Sequence, residues 1–163
     1  MGSGKTYVGK RLARALGLPF VDLDDLIVTR TGKPITDLFA DEGEPYFREL
    51  EANILREVGE LPSCVVATGG GAPCHHDGMD YMLSRGMTVF LDASVEVLLE
   101  RLRPERGGRP LIAGADDLRE SIETRLAHRL PCYRRAHLSV TITDPETDVV
   151  RLLLTQMTAI TGH

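Results

Sequence analysis

The feature that most constrains the fold is a short run of small residues, ending in a lysine and a threonine, directly before a helical pattern. Gly2-Ser3-Gly4-Lys5-Thr6 matches the end of the phosphate-binding pattern G-x-x-x-x-G-K-[ST]. In α/β proteins a loop of this kind connects a strand to a helix. The next residues predict that helix over Tyr7–Leu16, ended by Gly17, with an apolar stripe of Val8, Leu12, Ala15 and Leu16.

The chemistry of this loop predicts nucleotide binding. Small residues let successive backbone N–H groups turn toward phosphate oxygens, and the helix dipole adds positive potential there. Lys5 is expected to reach the β and γ phosphates, and the Thr6 hydroxyl to coordinate Mg²⁺. We therefore assign ATP binding to Gly2, Ser3, Gly4, Lys5, Thr6 and Tyr7. The alternative is a flexible N-terminus that imitates the motif.

The composition excludes several classes of protein. A chain of 163 residues with 26% charged and 42% hydrophobic residues is typical of one soluble domain, here residues 1–163. No apolar run approaches the roughly 18 residues that span a bilayer, so we expect no membrane association and a cytoplasmic location. The net charge of -5 argues against nucleic-acid binding. Cys74-His75-His76-Asp77 lacks a second ligand pair at zinc-site spacing and is interpreted as a surface loop.

Strand and helix patterns alternate along the chain, which favours an α/β fold with a parallel sheet covered on both faces. Four strands are predicted, at Pro19–Asp22, Cys64–Thr68, Thr88–Leu91 and Leu138–Ile142. After the first helix, we predict helices over Asp24–Arg30, 45–60, Asp77–Ser84, Ser94–Leu102 with Ser94 as N-cap, and Leu118–Tyr133, a short helical turn at Ile35–Phe39, and a last helix starting at Asp144-Pro145.

Residues 103–117 form the longest segment without hydrophobic periodicity and are rich in glycine, proline and arginine, and the candidate lid is 102–117. Such a composition suits a mobile lid that closes over a phosphate and excludes water. A plain surface loop has the same composition, and both interpretations stay open.

Two acids end the first predicted strand. Ligands of open α/β sheets bind beyond the carboxyl ends of the strands, and Asp22 and Asp24 lie there with their carboxylates on one side. Phosphoryl transfer needs one acid near Mg²⁺ and another near the attacking hydroxyl. Asp25 is a candidate helix N-cap.

Glycines and arginines supply the other candidates. Gly69-Gly70-Gly71 follows a predicted strand and would let a ligand approach the backbone closely. Arg48 and Arg129 could each grip a carboxylate or phosphate through two parallel hydrogen bonds, although either could instead form a surface ion pair.

Together these motifs resemble the shikimate kinase family, over nearly the whole chain. The resemblance depends on their order and spacing more than on any one of them. The six motifs are Gly4-Lys5-Thr6, Asp22-Leu23-Asp24, Gly43-Glu44-x-x-Phe47-Arg48-x-x-Glu51, Thr68-Gly69-Gly70-Gly71, Arg109-Pro110-Leu111 and Arg129-x-Pro131-x-Tyr133.

The resemblance implies a role for each matching residue. Asp22 would help to place Mg²⁺, through water, and Asp24 would bind substrate hydroxyls and assist as a base. Arg109 would be the lid arginine that reaches the transferring phosphate, and Arg101 would lie along the adenine. Lys5, Asp24 and Arg109 are thus the predicted catalytic residues. The shikimate-binding residues would be Asp24, Phe39, Phe47, Arg48, Gly69, Gly70, Gly71 and Arg129, with segment 23–51 as the substrate-binding part of the chain.

The resemblance also implies the architecture and the reaction. The expected fold is a three-layer α/β/α domain of the P-loop kinase type, with parallel strand order 2-3-1-4-5. The strand before the phosphate loop is the central one, and the pattern's first glycine would lie two residues before Met1. We therefore expect Met1 to be an internal methionine of a longer reading frame. The implied activity is ATP-dependent phosphorylation of the shikimate 3-hydroxyl, in aromatic amino-acid biosynthesis, by a monomer.

Two alternatives stay open. A gluconate-type or other small-metabolite kinase would share the fold, but the arginine pair favours shikimate. A non-catalytic nucleotide-binding copy would have no need of Asp24 or of a lid arginine, although the incomplete loop motif is compatible with it.

Overall fold

The computed structural model describes residues 2–102 and 115–161 and divides into two compact units. One unit is Thr6–Thr88, and the other joins Met1–Lys5 to Val89–His163. The α-helices are α1 (Lys5–Leu16), α2 (Leu23–Thr31), α3 (Ile35–Gly59), α4 (Gly78–Arg85), α5 (Val95–Leu102), α6 (Ala115–Tyr133) and α7 (Val149–Thr161). The strands are β1 (Phe20–Asp22), β2 (Val65–Ala67), β3 (Val89–Ala93) and β4 (Leu138–Ile142). The prediction of one domain over residues 1–163 stays a prediction.

In the unit Thr6–Thr88, β1 and β2 pair in parallel, with Asp22 opposite Ala67. Helix α1 packs closely on β1 at Gly9. A methyl group on this residue would lie only 2.6 Å from the Phe20 ring, so glycine permits the close approach. The stripe of α1 differs in part from the prediction. Val8, Gly9, Leu12 and Ala13 are buried, whereas Ala15 and Leu16 are exposed.

Helix α3 consists of two helical halves, which agrees with the prediction of two helical segments in this part of the chain. Gly43 lies between the halves with non-helical backbone angles, φ +83° and ψ 167°. A residue with a side chain rarely adopts such a positive φ, so glycine permits the kink here. Pro45 then stands near the start of the second half of the helix, as its fixed φ favours. The predicted break between Phe39 and Pro45 is therefore present, as a kink at Gly43.

In the other unit, β3 and β4 pair in parallel over five residues each. The predicted N-cap of α5 is confirmed, since the Val97 amide donates to Ser94 Oγ at 3.3 Å. The predicted start of the last helix at Asp144-Pro145 is wrong. Asp144 instead accepts a hydrogen bond from the Glu146 amide in a turn, and α7 begins at Val149 with Asp148 accepting from the Arg151 amide at 3.2 Å.

The strand pairs agree with the predicted topology. Among the described residues the sheets are β1-β2 and β3-β4. These correspond to the neighbours 2-3 and 4-5 in the predicted order 2-3-1-4-5. Both pairs are parallel. Parallel strands need a crossover connection, and helices lie between the two strands of each pair along the chain.

No helix in the described ranges is both long enough and apolar enough to cross a bilayer.

Candidate active site

The first part of the site lies where β1 gives way to α2. Asp22 is the N-cap of α2, and its Oδ1 accepts hydrogen bonds from the amides of Asp24 at 3.0 Å and Asp25 at 3.4 Å. Its Oδ2 accepts a hydrogen bond of 2.6 Å from the Thr6 hydroxyl. The capping role predicted for Asp25 therefore belongs to Asp22. The structure also brings together the two predicted metal ligands, Thr6 and Asp22.

The register of β1 and β2 brings a second group to the same edge of the sheet. Asp22 and Ala67 end the two strands side by side, so the residues that follow them are also neighbours. A methyl group built on Gly69 would lie 3.1 Å from Asp24 Oδ1 and 2.7 Å from Glu51 Oε1. Both carboxylates thus face the backbone of the glycine run. A side chain at position 69 would collide with them.

Arg48 packs on the third glycine of the run. A methyl group on Gly71 would collide with Arg48 Nη1 and lie 2.6 Å from Nη2. Gly71 has φ -88° and ψ -25°, which any residue adopts, so glycine is required here by space and not by backbone conformation. The glycine run therefore makes room for the guanidinium.

Two carboxylates of α3 hold Arg48. Nη1 donates to Glu51 Oε2 at 2.8 Å, and the Glu51 side chain is only 2% exposed. On another side of the guanidinium, Nε and Nη2 both lie 3.1 Å from Glu44 Oε1. Burial tends to lower the pKa of Arg48, but the hydrogen bonds and charges of Glu51 and then Glu44 outweigh it, and the pKa is raised. Arg48 is thus a fixed positive charge.

The predicted aromatic residues lie beside this charge. The ring centroids of Phe39 and Phe47 are 4.5 Å apart, and the Arg48 guanidinium lies 5.8 Å and 5.3 Å from them. Phe39 precedes the kink at Gly43 and Phe47 follows it, so the bend of α3 lets the two rings meet. An apolar wall next to a guanidinium suits a ring that carries a carboxylate.

The phosphate-loop residues up to Lys5 belong to the unit that contains Val89–His163. Gly2 and Gly4 have positive φ values of +72° and +86°, and α1 starts at Lys5 as predicted. Arg101 Nη1 donates to the carbonyl oxygens of Ser3 at 3.0 Å and Gly2 at 3.5 Å. The glycines therefore allow the tight turn that a phosphate loop requires.

The remaining predicted residues have simpler surroundings. Tyr7 is 64% exposed, and its hydroxyl accepts a hydrogen bond of 2.6 Å from Arg11. Arg129 lies partly buried on α6. Arg109 and most of the predicted lid 102–117 lie outside the described residues. The adenine contact of Arg101 and the carboxylate contact of Arg129 stay predictions.

Comparison with known proteins decides the family. A sequence model described as shikimate kinase matches residues 1–158. The chain belongs to the shikimate kinase family. A shikimate kinase of Bacteroides fragilis is 50% identical over 139 residues, which are 84% of this chain and 78% of that protein. The family resemblance inferred from the six motifs is therefore confirmed.

Solved shikimate kinases share the fold. A crystal structure of the enzyme from Bacteroides thetaiotaomicron has a TM-score of 0.90 and 38% identity, covering 100% of this chain and 94% of that one. A shikimate kinase from Acinetobacter baumannii in complex with shikimate has a TM-score of 0.88 and 34% identity, covering 98% and 89%. The predicted α/β fold of the P-loop kinase type is confirmed.

Sequence reasoning assigned no role to Glu44 and Glu51, although both stand in a quoted motif. Their spacing could have revealed them, because Glu44 lies four residues before Arg48 and Glu51 three residues after it on one helix. Residues three and four apart on a helix are neighbours on its surface. The signal was therefore present, but only once a helix through position 44 was assumed.

Proposed function

We propose that this chain is an ATP-dependent kinase that transfers the γ-phosphoryl group of ATP to the 3-hydroxyl of shikimate, giving shikimate 3-phosphate and ADP. The observation that carries the proposal is the grouping of Arg48, Asp24 and the glycine run at the edge of the sheet where Thr6 meets Asp22. A carboxylate receptor and a hydroxyl receptor side by side are what a hydroxylated ring acid requires.

The guanidinium of Arg48 supplies the carboxylate receptor. Its charge is fixed by Glu51 from the buried side, and its donors are directional. The rings of Phe39 and Phe47 stand next to it and can contact the face of a substrate ring. Arg48 and the two rings would therefore hold a ring carboxylate in a fixed orientation.

Asp24 supplies the hydroxyl receptor. It lies in the first turn of α2, is exposed, and has Oδ1 near the backbone of Gly69. An accessible carboxylate can accept the proton of a substrate hydroxyl and orient that oxygen for attack in line with the γ-phosphate. Most of the catalytic effect then comes from holding the two reactants in the correct geometry.

The oxygens present fit a magnesium ion. Mg²⁺ is usually held by one or two protein oxygens, by waters and by the phosphates of its substrate. The Thr6 hydroxyl and the Asp22 carboxylate, 2.6 Å apart, provide such a pair of hard oxygens. When bound with ATP, the ion would neutralise charge that develops on the phosphates. Lys5 would add a fixed positive charge to the same phosphates from the start of α1.

A coupled assay of ADP release tests the proposal. We expect ADP formation that depends on shikimate and saturates with it, and no comparable rate with gluconate, which lacks the ring. Turnover of gluconate in preference to shikimate would favour the related small-metabolite kinase. ATP binding without turnover of either acid would favour the non-catalytic copy.

The glycine run offers a more local test. We expect Gly71→Ala to raise KM for shikimate by at least about tenfold, because the new methyl group displaces the guanidinium of Arg48. Gly86→Ala is the matched control in the same unit, since a methyl group there meets nothing within 4 Å. Steady-state kinetics at saturating ATP measure both. An unchanged KM in Gly71→Ala would remove Arg48 from the substrate site.

A further inference from the structure

Glu44 contacts the edge of the Arg48 guanidinium that is formed by Nε and Nη2. Its Oε1 accepts a hydrogen bond of 3.1 Å from Nε and lies 3.1 Å from Nη2, so one oxygen faces both nitrogens of this edge. Nη1 meanwhile donates to Glu51. All three guanidinium nitrogens therefore contact carboxylates of α3.

A carboxylate ligand can use the same donors. The strongest arginine–carboxylate contact uses two parallel N–H groups, from either the Nε and Nη2 edge or the Nη1 and Nη2 edge. Nη1 and Nη2 carry two N–H groups each, so a single contact does not use up either nitrogen. The Nε and Nη2 edge, however, faces Glu44 Oε1 as a whole, and a carboxylate that takes this edge must displace Glu44.

The two glutamates differ in how easily they can move. The Glu51 side chain is 2% exposed, whereas that of Glu44 is 56% exposed. A buried carboxylate loses much on leaving its partner, while an exposed one regains its hydration in water. Glu44 also directly follows the kink at Gly43, at the start of the second helical half of α3. Glu44 is therefore the partner that can be exchanged.

We infer that Glu44 is an internal competitor of the substrate: its carboxylate takes the place of the substrate carboxylate on Arg48 and leaves when the substrate binds. This inference rests on the proposed function. Glu51 has the opposite role of holding the guanidinium from the buried side. Glu44 thus forms an ion pair with Arg48 and orders its side chain between turnovers, and it lowers the affinity for every ligand that binds Arg48 through a carboxylate.

Calorimetric titration of the full chain tests the inference. Glu44→Gln keeps the size and polarity of the side chain and removes its charge. Since exposed ion pairs are weak, we expect the Kd for shikimate to fall by about two- to fivefold. The neutral methyl ester of shikimate should bind equally to parent and variant, because it brings no carboxylate to the contested edge.

Glu42→Gln is the matched control. Glu42 stands on the same helix, is 46% exposed, and lies 3.8 Å from Lys33 with no contact to Arg48 among its described contacts. The same loss of charge there should leave both dissociation constants unchanged. A gain in Glu42→Gln equal to that in Glu44→Gln would show a general charge effect and would overturn the inference.

The remaining outcomes distinguish failure of the competitor role of Glu44 from failure of the proposed function. If the parent chain binds shikimate and Glu44→Gln binds it equally or more weakly, Glu44 positions Arg48 and the competitor role is wrong. A gain that extends to the methyl ester also contradicts it. If the parent chain binds no shikimate, the proposed function fails and the inference fails with it. Circular dichroism checks folding, and Glu44→Ala replaces Glu44→Gln if that variant does not fold.

Discussion

Replacing Lys5 with alanine is expected to lower kcat by about a hundred- to a thousandfold, which is the usual loss when one fixed group that stabilises transition-state charge is removed. Lys5 is the first residue of α1, where the helix dipole adds to its charge. Steady-state kinetics at saturating ATP and shikimate measure the effect. KM for shikimate should change little, because the proposed role of Lys5 concerns the phosphates.

Lys10→Ala is the matched control for this variant. Lys10 lies on the same helix, is exposed, and has its Nζ 5.9 Å from the centroid of the Phe20 ring. The Lys10→Ala substitution removes the same charge from α1, but at a distance from the phosphate loop. The value of kcat should therefore stay within about twofold of the parent value. A similar loss of kcat in both variants would mean that the overall charge of α1, and not the position of Lys5, supports turnover.

Replacing Arg48 with alanine is expected to impair both stability and binding. The variant removes an ion-pair partner of Glu51, whose side chain is buried, and breaking a buried pair costs about 3–5 kcal/mol. It also removes the proposed carboxylate receptor, so KM for shikimate should rise by at least about a hundredfold. Urea unfolding measures the first effect, and kinetics below the unfolding transition measure the second.

Two further variants separate these effects. Arg48→Ala combined with Glu51→Gln should recover part of the free energy of unfolding, because the buried carboxylate is neutralised, but it should recover none of the substrate affinity. Arg30→Ala breaks an exposed pair with Glu57, and it should cost far less stability and leave KM unchanged. Recovered affinity in the double variant would contradict direct binding of substrate by Arg48.

Much of the fold could be predicted because the decisive signals are local. Alternating apolar runs and glycine or proline stops placed the four strands of the described ranges, and Leu138–Ile142 agrees with the structure at both ends. The glycines before Lys5 and the cap at Ser94 are likewise signals within a few residues. Such patterns depend on the conformational preferences of single residues and need no knowledge of tertiary contacts.

The errors arose where a tertiary or competing contact decided the outcome. Asp144-Pro145 has a good helix-start composition, but Asp148 caps α7 instead and Asp144 closes a turn. Asp25 was a reasonable cap for α2 until the position of Asp22 was known. Nothing in the sequence alone could reveal that Gly71 accommodates the guanidinium of Arg48, since this depends on how β2 lies beside α3.

The double contact of Asp22 has a consequence for how the edge of the sheet responds to its ligands. One carboxylate holds the amides of Asp24 and Asp25 through Oδ1 and the Thr6 hydroxyl through Oδ2. A shift of this carboxylate toward Thr6 would change its hydrogen bonds to the amides in the first turn of α2, because the two oxygens belong to one rigid group. We therefore expect hydrogen exchange at these two amides to change when a ligand binds the Thr6 hydroxyl, because Asp22 connects the backbone that carries Asp24 to the proposed metal ligands.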